Sequence, residues 1–383
     1  MSRISRRHML GLLGAGIALP ALVKAQDSSP IRIGCMLPLS GNGSIEGNQV
    51  FKGVKFAVAE VNAAGGVLGR KIELAVEDDE SNTSKGVLAV RKLIEQEHVP
   101  LIIGTYASAV VVASMKVAKE LKVPMLTGGS TGAIATDANT PGDPWFFRFF
   151  SDSTGQGYDT ANAIINKFHA KRVAILHDTT GYGTDLAKQT TEVVQGAGGE
   201  IVANESYNIG DQDFSTILTR IRTLKPDVVY IGGWAADGAT IVRQAASVGL
   251  RTQFVGSGSM LSDDFIKLAG PASENFAVAT AYEASTPNKV GRAFGERFRK
   301  EYGYDPGMLN ALGYYSAAIG IEALRRVGKP DGAAIQQMLA NGMKDFPIGL
   351  GPEGTTADFN DKGSVDYPYF IAIIKNGKRV LDH

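Results

Sequence analysis

A strand–loop–helix–strand unit is written twice in this chain, about 130 residues apart, too long a separation for a solenoid repeat and suited to a duplicated domain. The first copy runs from Ile31 to Ser81. A short apolar run, IRIGCML, ends in Pro38, Ser40, Gly41, Asn42 and Gly43, loop residues whose backbone N–H groups are free to face a ligand. Val50, Val54, Ala57, Val58 and Val61 then recur at helical spacing as one apolar stripe. Gly65 and Gly66 suit the positive φ that ends a helix, and Ile72, Leu74 and Val76 alternate as in a strand. The spacing predicts a helix over Gly86–Gln96 and strands at Leu101–Thr105 and Val123–Leu126.

The second copy repeats these steps. Arg172–Leu176 reads as a strand, Asp178–Gly183 as its loop, Thr184–Gln195 as an amphipathic helix, and Glu200–Tyr207 as the next strand. A helix over Phe214–Leu224 and a buried strand over Val228–Ile231 lead to Gly232-Gly233-Trp234. Phe254-Val255 before Gly256–Ser259 matches Val123–Leu126 before Gly128–Thr131. Alternating strands and helices predict an α/β chain of two doubly wound parallel-sheet lobes, joined by a multi-strand hinge with a ligand cleft between them. Past Ala281 helices are predicted over Lys289–Tyr302, Leu309–Val327 and Ala333–Asn341, then strands near Gly354–Phe359 and Tyr369–Ile374. The expected division is a targeting segment at 1–25, one lobe from 26–148 with 281–348, and the other from 149–280 with 349–383. Crossings are expected near Phe147–Phe150, Ala279–Glu283 and Ile348–Pro352. Ligands in such sheets sit at the carboxyl ends of strands, and hinge closure is open to two facing lobes.

Charge and cysteine narrow the function. The formal net charge is zero, but Arg3, Arg6, Arg7 and Lys24 lie in an N-terminal stretch without acids. The rest carries four more acidic than basic residues, with no basic run of the kind that displaces counterions from nucleic acid. Ser5-Arg6-Arg7-His8-Met9-Leu10 before the apolar Leu10–Val23 run, with Val23-Lys24-Ala25 as cleavage site, reads as a twin-arginine export signal. The single cysteine, Cys35, lies inside the first strand, which leaves no disulfide, lipid attachment or thiolate metal cluster. No later segment reads as a transmembrane helix, so an exported soluble protein is expected.

MLPLSGNGSIEG with GVKFAVAEVNAAGGVLGRKIELAVEDDES resembles the opening of the type I periplasmic solute-binding proteins of ABC importers, in particular their branched-chain amino-acid-binding branch. IIGTYAS, MLTGGST, ILHDTTGYGTDLA, DFSTIL, VVYIGGW and VRQAASVGLRTQFVG are similar to that family's segments in the family's order. The likeness implies a receptor that captures a small carboxylate-bearing molecule, an amino acid or a related organic or aromatic acid. It also implies delivery to an inner-membrane ABC permease, a monomeric state, no cofactor and no chemistry. Matched residue by residue, Ser108 within Tyr106-Ala107-Ser108 falls where the ligand carboxylate is held, and Ser130 and Thr131 match the next strand-tip pair. Hydroxyls and free N–H groups at helix starts suit an anion, although N-capping also accounts for Ser108 and Thr131. Tyr182 matches the second lobe's aromatic position, and Trp234 falls where a tyrosine is common; both are also ordinary core residues.

One departure stands out. The acid that holds the ammonium in amino-acid receptors of this family is Gly258 here. A buried ammonium without a counter-charge costs several kcal/mol. Either the ligand lacks an α-amino group, or another acid serves: Glu46, which falls where an aromatic is common, or more remotely Asp237 or Asp263. Solvated carboxylates are the plain alternative for all three. Gly128-Gly129-Ser130-Thr131-Gly132 also fits G-x-S-x-G, so a hydrolase using Ser130 is a remote alternative that needs a histidine at a strand tip. A free-standing sensory domain would share the receptor's sequence features.

Overall fold

The computed structural model describes residues 29–382; the expected targeting segment lies outside them. The first half alternates β1 (Ile31–Leu37), α1 (Ser44–Ala63), β2 (Ile72–Asp78), α2 (Thr83–Glu95), β3 (Ile102–Gly104), α3 (Ser108–Glu120), β4 (Met125–Leu126), α4 (Ala133–Asp137) and β5 (Phe146–Phe147). Its strands form a parallel sheet in the order β2-β1-β3-β4-β5. The second half runs through α5 (Ser153–Asn166), β6 (Arg172–Asp178), α6 (Gly181–Gly196), β7 (Glu200–Tyr207), α7 (Ser215–Leu224), β8 (Val228–Gly232), α8 (Ala235–Ser247), β9 (Gln253–Gly256), α9 (Asp263–Ala269) and β10 (Ala277–Thr280). Here β7-β6-β8-β9-β10 are parallel in the same relative order, so the duplication is structural as well as sequential. Strand order reverses between β1 and β3 and between β6 and β8, where the carboxyl ends of neighbouring strands open a crevice.

The tail completes both lobes. α10 (Lys289–Tyr302) and α11 (Met308–Val327) pack on the first lobe, with α11 along α1. Phe56 of α1 meets Phe294 and Phe298 of α10 and Tyr314 of α11 in an aromatic cluster with centroids 5.4–6.3 Å apart. α12 (Gly332–Ala340) and β11 (Met343–Pro347) follow, and β12 (Thr356–Ala357) pairs antiparallel with β11. β13 (Phe370–Lys375) and β14 (Lys378–Leu381) then extend the second sheet antiparallel beyond β10, joined by the Asn376-Gly377 turn at positive φ. Each sheet has an apolar core on both faces. Cys35 lies in that core, where burial pushes its thiol up to about 12.

Several boundaries move for identifiable reasons. α2 starts at Thr83 rather than Gly86 because Asn82 Oδ1 accepts from Lys85 N (3.1 Å). α6 starts at Gly181 rather than Thr184 because Thr180 caps it through Gly183 N. Val76 alternates as expected but is 38% exposed, since β2 is the edge of its sheet. The segment after 349 does not pass straight to the second lobe. Asn288 Nδ2 donates to the Ile348 and Pro352 carbonyls (both 3.1 Å), folding 348–352 back toward α10, and Ala357 and Phe359 join the first lobe's core. The chain therefore reaches the second sheet only at Phe370, later than the expected crossing at Ile348–Pro352. Among the described residues no helix is long and apolar enough to cross a membrane.

Candidate ligand site between the lobes

The carboxyl ends of β1, β3 and β4 face those of β6 and β8 across a chamber of about 200 Å³. Tyr106, Ala107, Ser108 and Thr131 line it from one lobe, Tyr182 and Trp234 from the other. Six of the eight residues singled out from sequence thus meet in one cavity. Ser130 and Glu46 do not line it.

Ser108 is the first residue of α3, one position past the cap, so N-capping does not explain it. Ala107 occupies the cap position and supplies no side-chain bond. The Ser108 hydroxyl accepts from Gly132 N (3.0 Å) and lies 2.8 Å from the Ser130 hydroxyl. Ser130 is fully buried behind it, so it braces Ser108 and does not reach the cavity. The nucleophile reading of Ser130 fails on the same geometry. Its hydroxyl meets another serine and no imidazole, and His177 is turned to the Asp178 carbonyl in the other lobe. Thr131 is likewise not a cap, since Gly132 takes that place for α4. The tip of β3 is held from below by buried Asp79, which accepts from the Thr105 hydroxyl and from Ser81 N (2.8 Å).

Aromatic side chains close the chamber. Tyr106 meets Trp234 edge to face, with centroids 5.5 Å apart, which joins the two lobes. Tyr182 donates its hydroxyl to Gln156 Oε1 (2.9 Å). Gly43, at φ 82°, lets the first lobe approach the second so closely that a Cβ there would lie 2.4 Å from the Trp234 ring.

Glu46 plays an unexpected part. It is 2% exposed, and its Oε1 accepts from Ala235 N (3.0 Å), the first helical residue of α8. Trp234 at the cap position of α8 offers no side-chain bond, so a carboxylate from the opposite lobe caps this helix. Burial pushes the Glu46 carboxyl up, and the Ala235 amide partly opposes that. Asp237, also in the first turn of α8, is 5% exposed. Its Oδ1 accepts from Gly210 N (3.0 Å), Oδ2 has no hydrogen-bond partner, and burial pushes its carboxyl up to about 6. Asp263 does not line this cavity and pairs with Arg379 (2.8 Å). At Gly258 a Cβ would lie 2.7 Å from Met308 Cε and 2.8 Å from Gln156 Nε2, the movable ends of two flexible side chains, so an acid there would displace both.

The cavity also uses residues that sequence reasoning passed over: Glu80, Ile134, Thr180 and Ile209. Glu80 is exposed and ion-paired with Lys85. Ile134, 40% exposed, stands in the five-residue α4, too short to show periodicity. Among the described residues no cluster of metal-ligating side chains occurs.

The family model for periplasmic binding proteins matches residues 30–379. A Leu/Ile/Val-binding protein homolog of Brucella abortus is 30% identical over 336 residues, 87% of this chain and 88% of that protein. The solved leucine-binding protein of Thermotoga maritima is 28% identical, with a TM-score of 0.83 over 92% of this chain and 98% of its own. The branched-chain amino-acid transporter substrate-binding protein of Streptococcus pneumoniae, solved with isoleucine, is 25% identical with a TM-score of 0.84 over 92% and 99%. With two matching lobes and a shared interlobe cavity, this chain belongs to the periplasmic binding protein family, in its type I, branched-chain amino-acid-binding branch.

Proposed function

We propose that this protein is an exported receptor that captures a small carboxylate in the interlobe cleft by hinge closure and passes it to an inner-membrane ABC permease. The observation that carries this reading is Ser108, at the uncapped start of α3, facing an aromatic-walled chamber beside Thr131. Unsatisfied helix N–H groups, the helix dipole and two hydroxyls together favour an anion. Each charge-assisted hydrogen bond contributes about 1.5–3 kcal/mol net, so three or four suffice for micromolar binding. Relatives carry names that refer to leucine, isoleucine and valine. The lack of a carboxylate at Gly258 supports a ligand here without an α-ammonium held at that position.

A thermal-shift screen over amino acids, keto acids, aromatic acids, dicarboxylates and amides tests the reading, because a bound ligand raises the melting temperature by mass action. Carboxylates are expected to stabilise the wild type, and Ser108→Ala to weaken every hit by about tenfold or more. Stabilisation by uncharged amides that is indifferent to Ser108→Ala refutes it.

A further inference from the structure

A second chamber of about 320 Å³ lies beside the first, and Asn42, Ile209 and Trp234 stand in the walls of both. All three follow strand ends: Asn42 after β1, Ile209 after β7, and Trp234 after β8 at the cap position of α8. Tyr106 lines the first chamber and not the second, and Gly43 the second and not the first. The Trp234 indole touches both, edge to face with Tyr106 at 5.5 Å and too close to Gly43 for a Cβ to enter. At 7% exposed it has little room to swing aside.

Each part of this partition is pinned from behind. Ser81 Oγ donates to the Asn42 carbonyl (2.7 Å). Glu46 Oε1 accepts from Ala235 N (3.0 Å), the residue after Trp234, and Asp237 Oδ1 accepts from Gly210 N (3.0 Å), the residue after Ile209. The two buried acids thus hold the backbone beside the two large side chains of the wall. Beyond it, Ile45 and Leu268 give the second chamber apolar surface of its own.

Resting on the receptor reading above, we propose that Trp234 and Ile209 form the end wall of the ligand chamber and set the longest carboxylate it takes, with the second chamber as space that the wild-type ligand does not enter. The anion at Ser108 and Thr131 fixes one end of the ligand, so chain length decides where the other end falls. A chain that stops short of the wall gains about fourfold in affinity for each further methylene it buries. A longer chain has to push the indole off Tyr106 and Gly43, and overfilling a packed site costs more than the extra carbon returns. Without the indole the two spaces join, which more than doubles the volume open to the chain.

Titration calorimetry of the full mature protein tests this with two series, the straight-chain carboxylates from butanoate to decanoate and the phenyl-terminated acids from phenylacetate to phenylhexanoate. In the wild type, affinity is expected to climb with length and then break, falling about tenfold or more over the next two carbons. Trp234→Ala is expected to move that break outward by two carbons or more and Ile209→Ala by one or more. Adding Ser108→Ala to either is expected to weaken all lengths alike, because the anion keeps its seat. A wild-type series without a break, a break at the same length in both variants, or long acids that bind Trp234→Ala regardless of Ser108→Ala overturns the inference while the receptor reading stands. So does a wild type that binds other carboxylates but neither series. If Trp234→Ala fails to fold or to bind, Ile209→Ala decides: a break moved outward supports the wall, and an unmoved one overturns it. If no carboxylate binds the wild type at all, the receptor reading falls and this inference falls with it.

Discussion

Asp237→Asn has a consequence for stability that follows from the burial of its carboxyl. In the folded protein that group titrates at about 6, against an ordinary value of 3.8, because burial dominates; the Gly210 N–H bond opposes the shift, and the charges of Asp178 and Asp211 add to it. The folded state therefore keeps the proton to higher pH than the unfolded chain does. Raising the pH from the unfolded value through about 6 removes stability, and above that the full penalty applies. A shift of about two units at 1.36 kcal/mol each sets an upper bound near 3 kcal/mol. Asparagine keeps an oxygen for Gly210 N and carries no charge. Urea unfolding of both proteins near pH 4 and pH 7 is the assay, read as the difference between variant and wild type at each pH. That difference is expected to move in favour of the variant by about 1–3 kcal/mol on going to pH 7. An equal difference at both pH values refutes the argument that this carboxylate is buried at a cost.

Two other outcomes follow from the interlobe contacts. Glu46→Ala removes the carboxylate that caps α8 from the opposite lobe, a charge-assisted bond worth about 1.5–3 kcal/mol, so calorimetry is expected to show every ligand weakened by about ten- to a hundredfold; an unchanged dissociation constant means the contact contributes nothing to closure. Gly43→Ala forces a Cβ toward Trp234 at a backbone geometry that disfavours side chains, so both the unliganded melting temperature and the ligand affinity are expected to fall; a stabilised, tighter-binding variant refutes it.

Local chemistry made most of the fold legible. The stripe through Val50, Val54 and Ala57 is buried as spaced, and the helix read over Lys289–Tyr302 keeps those bounds because Asn288 caps one end and Gly303 the other. The six cavity-lining candidates sit on strand tips and the helix starts that follow them, which turn residues mark in sequence. Contacts between distant segments were not legible. Nothing near Ser130 reveals that Ser108 stands between it and the cavity, and nothing near Glu46 reveals a partner 189 residues away. The late return of the chain at Phe370 was hidden for a similar reason, since Asn288 folds back a segment some sixty residues downstream. β14 escaped notice because Lys378–Leu381 is only four residues long and opens with two cationic residues, too short for an alternating pattern to show.

The seam between the lobes carries its own optical label. The chain has two tryptophans; Trp145 is buried within the first lobe, where its indole donates to Asp143 Oδ1 (2.9 Å), whereas Trp234 stands where the two halves touch. Parting the halves takes the Trp234 indole from Tyr106 and Gly43 into water, while Trp145 keeps its surroundings. The intrinsic emission of this protein therefore separates into a constant part and a part that tracks whether the gate is shut.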